Sequence, residues 1–366
     1  MPAQILHVLF GEDVLNRTVS VAGEGSIGAY VGRVLGEMRV FFALGCQGPD
    51  LFYHNQRTRP LSIEYGTLLH RRGYGSFATA LLRRTMSAHS PSSGPSAGAA
   101  YALGFATHAF LDRAAHPYIV CKSGWVSPSK PETARYARCH AFFERILDVQ
   151  MLEKLRGMDA SAWDQEERLT RYSDTERASL IEAVGASLTE AFPERASADV
   201  KLSLRVANAF SDAESFYHMT NPMRTSLNMR LSDGFEYLSS ASGRASVALI
   251  YPERFPLGID YLNLARAPWA HPCRADKIDH RSFPDMYEDA VQYAVSVFIR
   301  ILGGFVTSGL LENDAAFLIG NAGLSAVGED GQPCAPTHAE PLPLDSVLDE
   351  QYRFRLKWIA ARGLLN

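Results

Sequence analysis

Three side chains able to bind a metal follow one another at steps of four in the segment Gly104-Phe-Ala-Thr-His108-Ala-Phe-Leu-Asp112-Arg-Ala-Ala-His116-Pro117. A helix turns about 100° per residue, so each step of four drifts only ~40° and His108, Asp112 and His116 project from one face. A second pair has the same step: His140 and Glu144, in Cys139-His-Ala-Phe-Phe-Glu144. Neutral imidazoles and carboxylates are the ligand set of zinc and other divalent metals. One buried histidine alone can be satisfied by a backbone carbonyl, and one Asp by a neighbour such as Arg113. As a set these groups are harder to satisfy separately, because each unpaired buried polar group costs a few kcal/mol. A metal satisfies them together. Five such groups on two helical faces, amid apolar residues, point to a metal-dependent hydrolase.

The segments that must position them read as helical throughout. Tyr30 to Leu44 carries Val31, Val34, Leu35, Met38, Phe41 and Phe42 at a period near 3.6. Gly45 is expected to cap it and Gly48-Pro49 to stop it, leaving Asp50 on the following loop. A helix around Ile63 to Met86 holds His70. Ser87 to Ser96 reads as a flexible connector whose last serine caps a helix from about Ala97 to His116. Gly98, Ala99, Ala102 and Ala106 let neighbouring helices approach it closely. Pro117 places His116 on a distorted last turn, swung towards a different metal from His108. Glu132 to Arg156 is expected to be one helix bearing His140 and Glu144. Asp159 to Asp174 reads as a charged surface excursion, and helices return near Glu176–Ala191 and Ala198–Tyr217. Ser239 to Trp269 is mixed, with a short strand at Ser246–Tyr251. A last strong helix runs from about Pro284 to Val306, and Val327 to Asp345 reads as loop. The expected architecture is all-α: a metal-binding helical core (1–160), a helical remainder packing on it in the same domain (161–325), and a loop and C-terminal tail (326–366).

The totals bound the function. The chain has 366 residues, 46% of them hydrophobic, enough for a sizeable core. A formal net charge of -4 speaks against a dedicated duplex-nucleic-acid binder. Of the 36 basic residues 30 are arginine, an imbalance that codon bias in a GC-rich genome explains. Five scattered cysteines (46, 121, 139, 273, 334) with no CxxC pattern suggest reduced thiols, with Cys139 in the core. The N-terminal segment lacks the basic and apolar regions of a signal peptide, and no uninterrupted apolar run reaches ~18 residues, so neither export nor a transmembrane segment is expected. The expected location is cytoplasmic. Nothing here sets the oligomeric state.

The order His7 (in LHVLFGEDVL), GCQGPD50, LLH70, GFATH108AFLD112RAAH116P and H140AFFE144 resembles the bacterial zinc-dependent phospholipase C family, whose distant relatives are fungal single-strand nucleases. The resemblance covers roughly residues 5–150. It is weaker at Asn263-Leu-Ala-Arg-Ala-Pro-Trp269 and at Ser282-Phe-Pro-Asp-Met-Tyr-Glu288. It implies an all-helical domain with a cluster of three zinc ions. His70 and His108 would bind one ion, and Asp112 would bridge it to a second held also by His7. His116, His140 and Glu144 would bind the third. Asp50 matches the acidic residue that orients or deprotonates the attacking water. Secreted members complete the His7 site with the backbone of a processed N-terminal residue, whereas this chain begins Met1-Pro2. Two metal ions rather than three are therefore an alternative. His54, four residues past Asp50, is an alternative to His70.

The chemistry is coherent on the residues alone. Metal-bound water becomes hydroxide near neutral pH, paired metals neutralise a phosphodiester, and Asp50 can accept the proton. No Ser or Cys nucleophile motif is apparent. A phosphoester, either a lipid headgroup or a soluble diester, is the expected substrate. Two alternatives remain: a single-strand nuclease using Arg71-Arg72 and Arg83-Arg84 as its basic groove, and a metal-stabilised binding protein without turnover. Other histidines have plainer roles: His89 and His338 solvated, and His218, His271 and His280 outside the pattern, with the mouth of the pocket as a lesser alternative for His271. Phe52, Tyr53 and Tyr118 are expected in the core.

Overall fold

The structure, a computed structural model, describes residues 3–23, 25–86, 94–225, 243–254, 256, 258–308, 314–328 and 330–361. The helices run in order α1 (Gln4–Ala22), α2 (Ser26–Glu37), α3 (Arg39–Cys46), α4 (Asp50–Tyr53), α5 (Ile63–Arg71), α6 (Tyr74–Met86), α7 (Ala97–Ser123) and α8 (Cys139–Arg156). There follow α9 (Gln165–Leu169), α10 (Asp174–Ala191), α11 (Pro193–Ser197), α12 (Leu202–Met219), α13 (Pro222–Thr225) and α14 (Gly243–Val247). A two-stranded antiparallel hairpin, β1 (Trp269–His271) and β2 (Arg274–Asp279), precedes α15 (Phe283–Ser308), α16 (Ala315–Ile319) and α17 (Leu344–Ala361). The chain is thus 68% helix and 4% strand, the all-α architecture expected from its periodicity.

Ser96 starts α7 by accepting the Ala99 amide hydrogen at 3.1 Å. This helix is the axis of the fold, packed by α1, α3, α6, α8 and α15. Its closest neighbour is α3, and glycines permit that approach: a Cβ on Gly45 would lie 2.1 Å from the Tyr101 carbonyl oxygen, and one on Gly104 2.1 Å from that of Phe42. Of the small residues singled out in the sequence, Gly98 meets Thr85 of α6 instead. One hydrophobic cluster runs from Ile5 to Leu348, so segments 1–160 and 161–325 share a core.

Several boundaries differ from expectation. The Tyr30–Leu44 pattern breaks at Met38 into α2 and α3, and Gly45 stays helical. Ile63–Met86 divides at Gly73, whose φ is +72°. Pro117 does not end α7, which continues to Ser123 because packing on many sides outweighs the local cost of a helix-interior proline. Glu132–Arg156 is interrupted at Arg138 (φ 70°) between a 3-10 turn and α8. The strand expected at Ser246–Tyr251 is absent: Gly243–Val247 is helical, and a run buried on every side carries no period that separates strand from helix. After its loop, the 326–366 segment holds the helix α17, whose buried Leu344, Val347, Leu348, Gln351 and Arg355 recur at helical spacing. Asp159–Asp174 holds short helical turns at Ala160–Ala162 and Gln165–Leu169. The 87–93 part of the connector, with His89, lies outside the described residues.

Among the described residues one helix, Phe283–Thr307, is long and apolar enough to cross a membrane, with a mean hydropathy of 1.5. Half of that window is buried within the fold, packed on α1 and α7. The expectation of reduced thiols is corrected for two of the five: Cys273 and Cys334 form a disulfide across 61 residues, their Cα atoms 6.1 Å apart. Linear spacing gave no hint of it, because the pairing depends on how the β-hairpin turn meets the segment after α16. Cys46, Cys121 and Cys139 are free and buried. Closing a loop of this length restricts the unfolded chain by about 4 kcal/mol at most. Replacing both Cys273 and Cys334 by Ser is expected to lower the unfolding free energy by about 2–4 kcal/mol in urea titration.

Candidate metal centre

The eight residues singled out come from five helices: His7 from α1, Asp50 from α4, His70 from α5, His108, Asp112 and His116 from α7, and His140 and Glu144 from α8. All are buried except His140, which is half-buried. They gather in three groups whose ligand-type atoms lie within 4.8 Å of one another: His7, His108 and Asp112; Asp50, His70 and His108; and His116, His140 and Glu144. These groups could hold metal ions.

The first two groups merge around Asp112, which has no solvent exposure. Its Oδ1 lies 3.4 Å from His7 Nε2, while its Oδ2 lies 3.1 Å from His108 Nε2 and 3.9 Å from His70 Nε2. Neither oxygen makes a hydrogen bond, nor does His108 Nε2, either nitrogen of His7, or Asp50 Oδ1. These atoms are close but misaligned for hydrogen bonding to one another. His70 Nε2 stands 3.2 Å from Asp50 Oδ1. No Lys or Arg pairs with Asp50 or Asp112 among the described residues. Buried polar atoms without partners are rare because each forfeits its hydration. Their convergence fits a divalent cation.

The second nitrogen of two imidazoles is fixed from behind. His70 Nδ1 lies 2.7 Å from the Gly66 carbonyl and His108 Nδ1 3.0 Å from that of Cys46. A carbonyl only accepts, so each Nδ1 carries a hydrogen, and in its neutral form each imidazole presents the Nε2 lone pair to the cluster. The Cys46–Asp50 turn delivers both the Cys46 carbonyl and Asp50, and it leaves room for the His108 ring only because residue 48 is glycine. Gly48 has φ +54°, and a Cβ there would lie 2.4 Å from His108 Cγ. The His7 ring stacks on His108, centroids 3.9 Å apart.

Electrostatics follow the crowding. Burial, helped by the His108 charge, lowers the His7 pKa despite Asp112. His108 also suffers burial, but the Asp112 carboxylate outweighs it and raises its pKa. Burial alone would raise Asp112, yet the His108 charge holds it well below the usual carboxylate range. In the third group His140 Nε2 is 2.8 Å from Glu144 Oε1, and His140 Nδ1 is 3.3 Å from Ser123 Oγ. Burial lowers His116 strongly. Glu144 stays at about 2 against burial because positive charge, including His140, surrounds it.

Placement settles several alternatives. Asp50 lies in the first turn of α4 rather than on a loop. His54 joins none of the three groups; its half-buried ring stacks on Phe216 with centroids 4.1 Å apart, and desolvation lowers its pKa to about 4. His116 does face a different group from His108, but from a regular helix rather than a distorted turn. Tyr53 stacks on His70 (4.8 Å), whereas Phe52 and Tyr118 are core residues. His271 is buried on β1, its Nδ1 accepting the Cys273 amide hydrogen. His218 pairs with Glu166, His338 pairs with Glu340, and His280 is exposed.

One residue that the sequence did not single out supports the centre from outside. Asp148 is fully buried and accepts the backbone hydrogens of Ile5 at 2.8 Å and Leu6 at 3.2 Å. The first turn of α1 has no side-chain cap of its own, so Asp148 serves as one from α8 and aims His7. Tyr251 adds its hydroxyl, 3.0 Å from Asp148 Oδ2. The signal was present: His140, Glu144 and Asp148 continue one step of four. Comparison of the chain with known protein families, with characterised proteins and with solved structures found no match in any of the three.

Two outcomes are expected. Gly48→Ala forces either the turn or the His108 ring aside; it should lower the unfolding free energy by about 1–3 kcal/mol and reduce bound metal per chain in elemental analysis. Burial raises the Asp148 pKa from 3.8 to about 7. The folded state therefore holds a proton that the unfolded state releases first, so this contribution is present below about pH 4 and lost as pH rises to about 7. Asp148→Asn lacks that loss. Its urea midpoint should gain on the wild type between pH 4 and pH 7, and a constant difference across that range would refute the assignment.

Proposed function

We propose that this chain is a zinc-dependent hydrolase of phosphoesters, most naturally a phosphodiester, with a phospholipase C/nuclease-like helical domain. The observation that carries the proposal is Asp112: a buried carboxylate whose two oxygens face different histidines and accept no hydrogen bond, with the Asp50 carboxyl beside them. Two or three zinc ions are the inferred cofactors, since five imidazoles and three carboxylates form a nitrogen-rich set suited to zinc. His70, His108 and Asp112 would hold one, His7 and Asp112 a second, and His116, His140 and Glu144 a third. When bound, such ions acidify water and neutralise phosphoryl charge.

The chain's own residues supply the rest. Asp50 orients the attacking water and accepts its proton. The Gly66 and Cys46 carbonyls keep His70 and His108 in the required tautomer. Tyr53 walls one side of His70. The single-strand nuclease alternative is weakened at one of its two arginine pairs, because Arg83 and Arg84 both engage Glu190. For the location, we infer an oxidising compartment rather than the cytoplasm, on the strength of the Cys273–Cys334 bridge.

Elemental analysis of purified protein should find zinc, and a panel of phospholipid, single-stranded DNA and small diesters should show turnover of at least one. Asp50→Asn is expected to retain metal while losing at least ~100-fold in rate. Metal retention with full activity would remove Asp50 from its role, and metal-replete protein inert on every substrate would favour a non-catalytic, metal-stabilised binding protein.

A further inference from the structure

A cleft of about 1140 Å3 opens along α5, apart from the three metal groups. Thr67 and Arg71, one helical turn apart, line it, while His70 between them belongs to the metal centre. The two places communicate through one ring. The Thr67 hydroxyl reaches the Tyr53 hydroxyl, the Arg71 charge is felt there as well, and Tyr53 stacks on His70 with centroids 4.8 Å apart.

The charge in the cleft is unbalanced. Arg195 is occupied by Glu64, which also faces Arg205 at 3.7 Å. Arg71 and Arg72 are exposed and have no ion-pair partner among the described residues, leaving Glu194 as the cleft's only other acid. A guanidinium pair without a carboxylate, in a concave site, suits the oxygens of a phosphate. The cleft wall also offers Phe192, whose ring packs over Gly73, and Pro333. That wall is held in place: neighbouring Cys334 is bridged to Cys273, and the Leu324 amide donates to the His70 carbonyl at 2.9 Å. None of the exposed large hydrophobic residues lines the cleft, which favours a dissolved ligand over a membrane surface.

We propose that this cleft is a second binding site, for a soluble phosphate-bearing organic anion, with Arg71 and Arg72 gripping the phosphate and Phe192 covering the organic part. Its use as a subsite for the distal portion of the substrate rests on the hydrolase proposed above; the binding itself does not. The volume is ample for such a molecule, since ligand pockets commonly span ~300–1,000 Å3.

Titration calorimetry with phenyl phosphate tests it, on the full chain. Wild type should bind, Arg71→Ala/Arg72→Ala should bind at least tenfold more weakly, and His108→Asn should bind as wild type. Chelator-treated wild type replaces His108→Asn should that variant fail to fold. Undetectable binding to wild type, an unchanged affinity in the double arginine variant, or a loss confined to the metal-site sample would each overturn the proposal. Arginine-dependent sedimentation with phosphatidic acid vesicles, without binding of phenyl phosphate, would assign the anion to a lipid surface and overturn it too. Zinc content measured on the same samples reports separately on the hydrolase, so either idea can fail alone.

Discussion

The Asp112 carboxylate governs how this protein is built. It sits near the middle of α7, without solvent exposure and without a hydrogen bond to either oxygen. Leaving such an anion unpaired in a protein interior costs several kcal/mol. Three imidazoles approach it, yet they are themselves buried and none makes a hydrogen bond to it, so they offset that cost incompletely. The packing around α7 must therefore carry a local electrostatic deficit, one that a cation could offset. A fold with one continuous core extending from Ile5 to Leu348 can do so, and a smaller bundle would have less to spare.

Positioning falls to backbone atoms more than to side chains. The Gly66 and Cys46 carbonyls orient two imidazoles, and the Gly48 turn sets both the Cys46 carbonyl and the approach to Asp50. The glycines at the α3–α7 crossing bring that turn against His108 in the first place. Carbonyls anchored in helices move little, which keeps the lone pairs of His70 and His108 aimed at one small volume.

The metal-type residues on α7 and α8 were legible because helical steps of four convert directly into a shared face, and burial then adds the penalty that makes a shared face informative. His7, Asp50 and His70 were placed only through the family resemblance; nothing in their own spacing says that α1, α4 and α5 meet α7. Helix content was legible and helix ends were not. Met38 and Gly73 break apolar patterns that continue unaltered through them, and Pro117 fails to break one because α7 is packed on many sides. The hairpin at 269–279 and the Cys273–Cys334 bridge depend on contacts between distant segments. Asp148 went unnoticed because a lone acid on an apolar helix face has a mundane meaning until its partners, the amides of Ile5 and Leu6, are known.

The tie between Asp148 and the start of α1 spans 143 positions of the chain. As the protein is synthesised, its first helix emerges with bare amides and an unanchored His7, and the residue that secures them appears only after α7 and most of α8 have been made. A shortened chain ending before that point would therefore carry His7, His108 and Asp112, a group that could hold a cation, without the carboxylate that secures the start of α1.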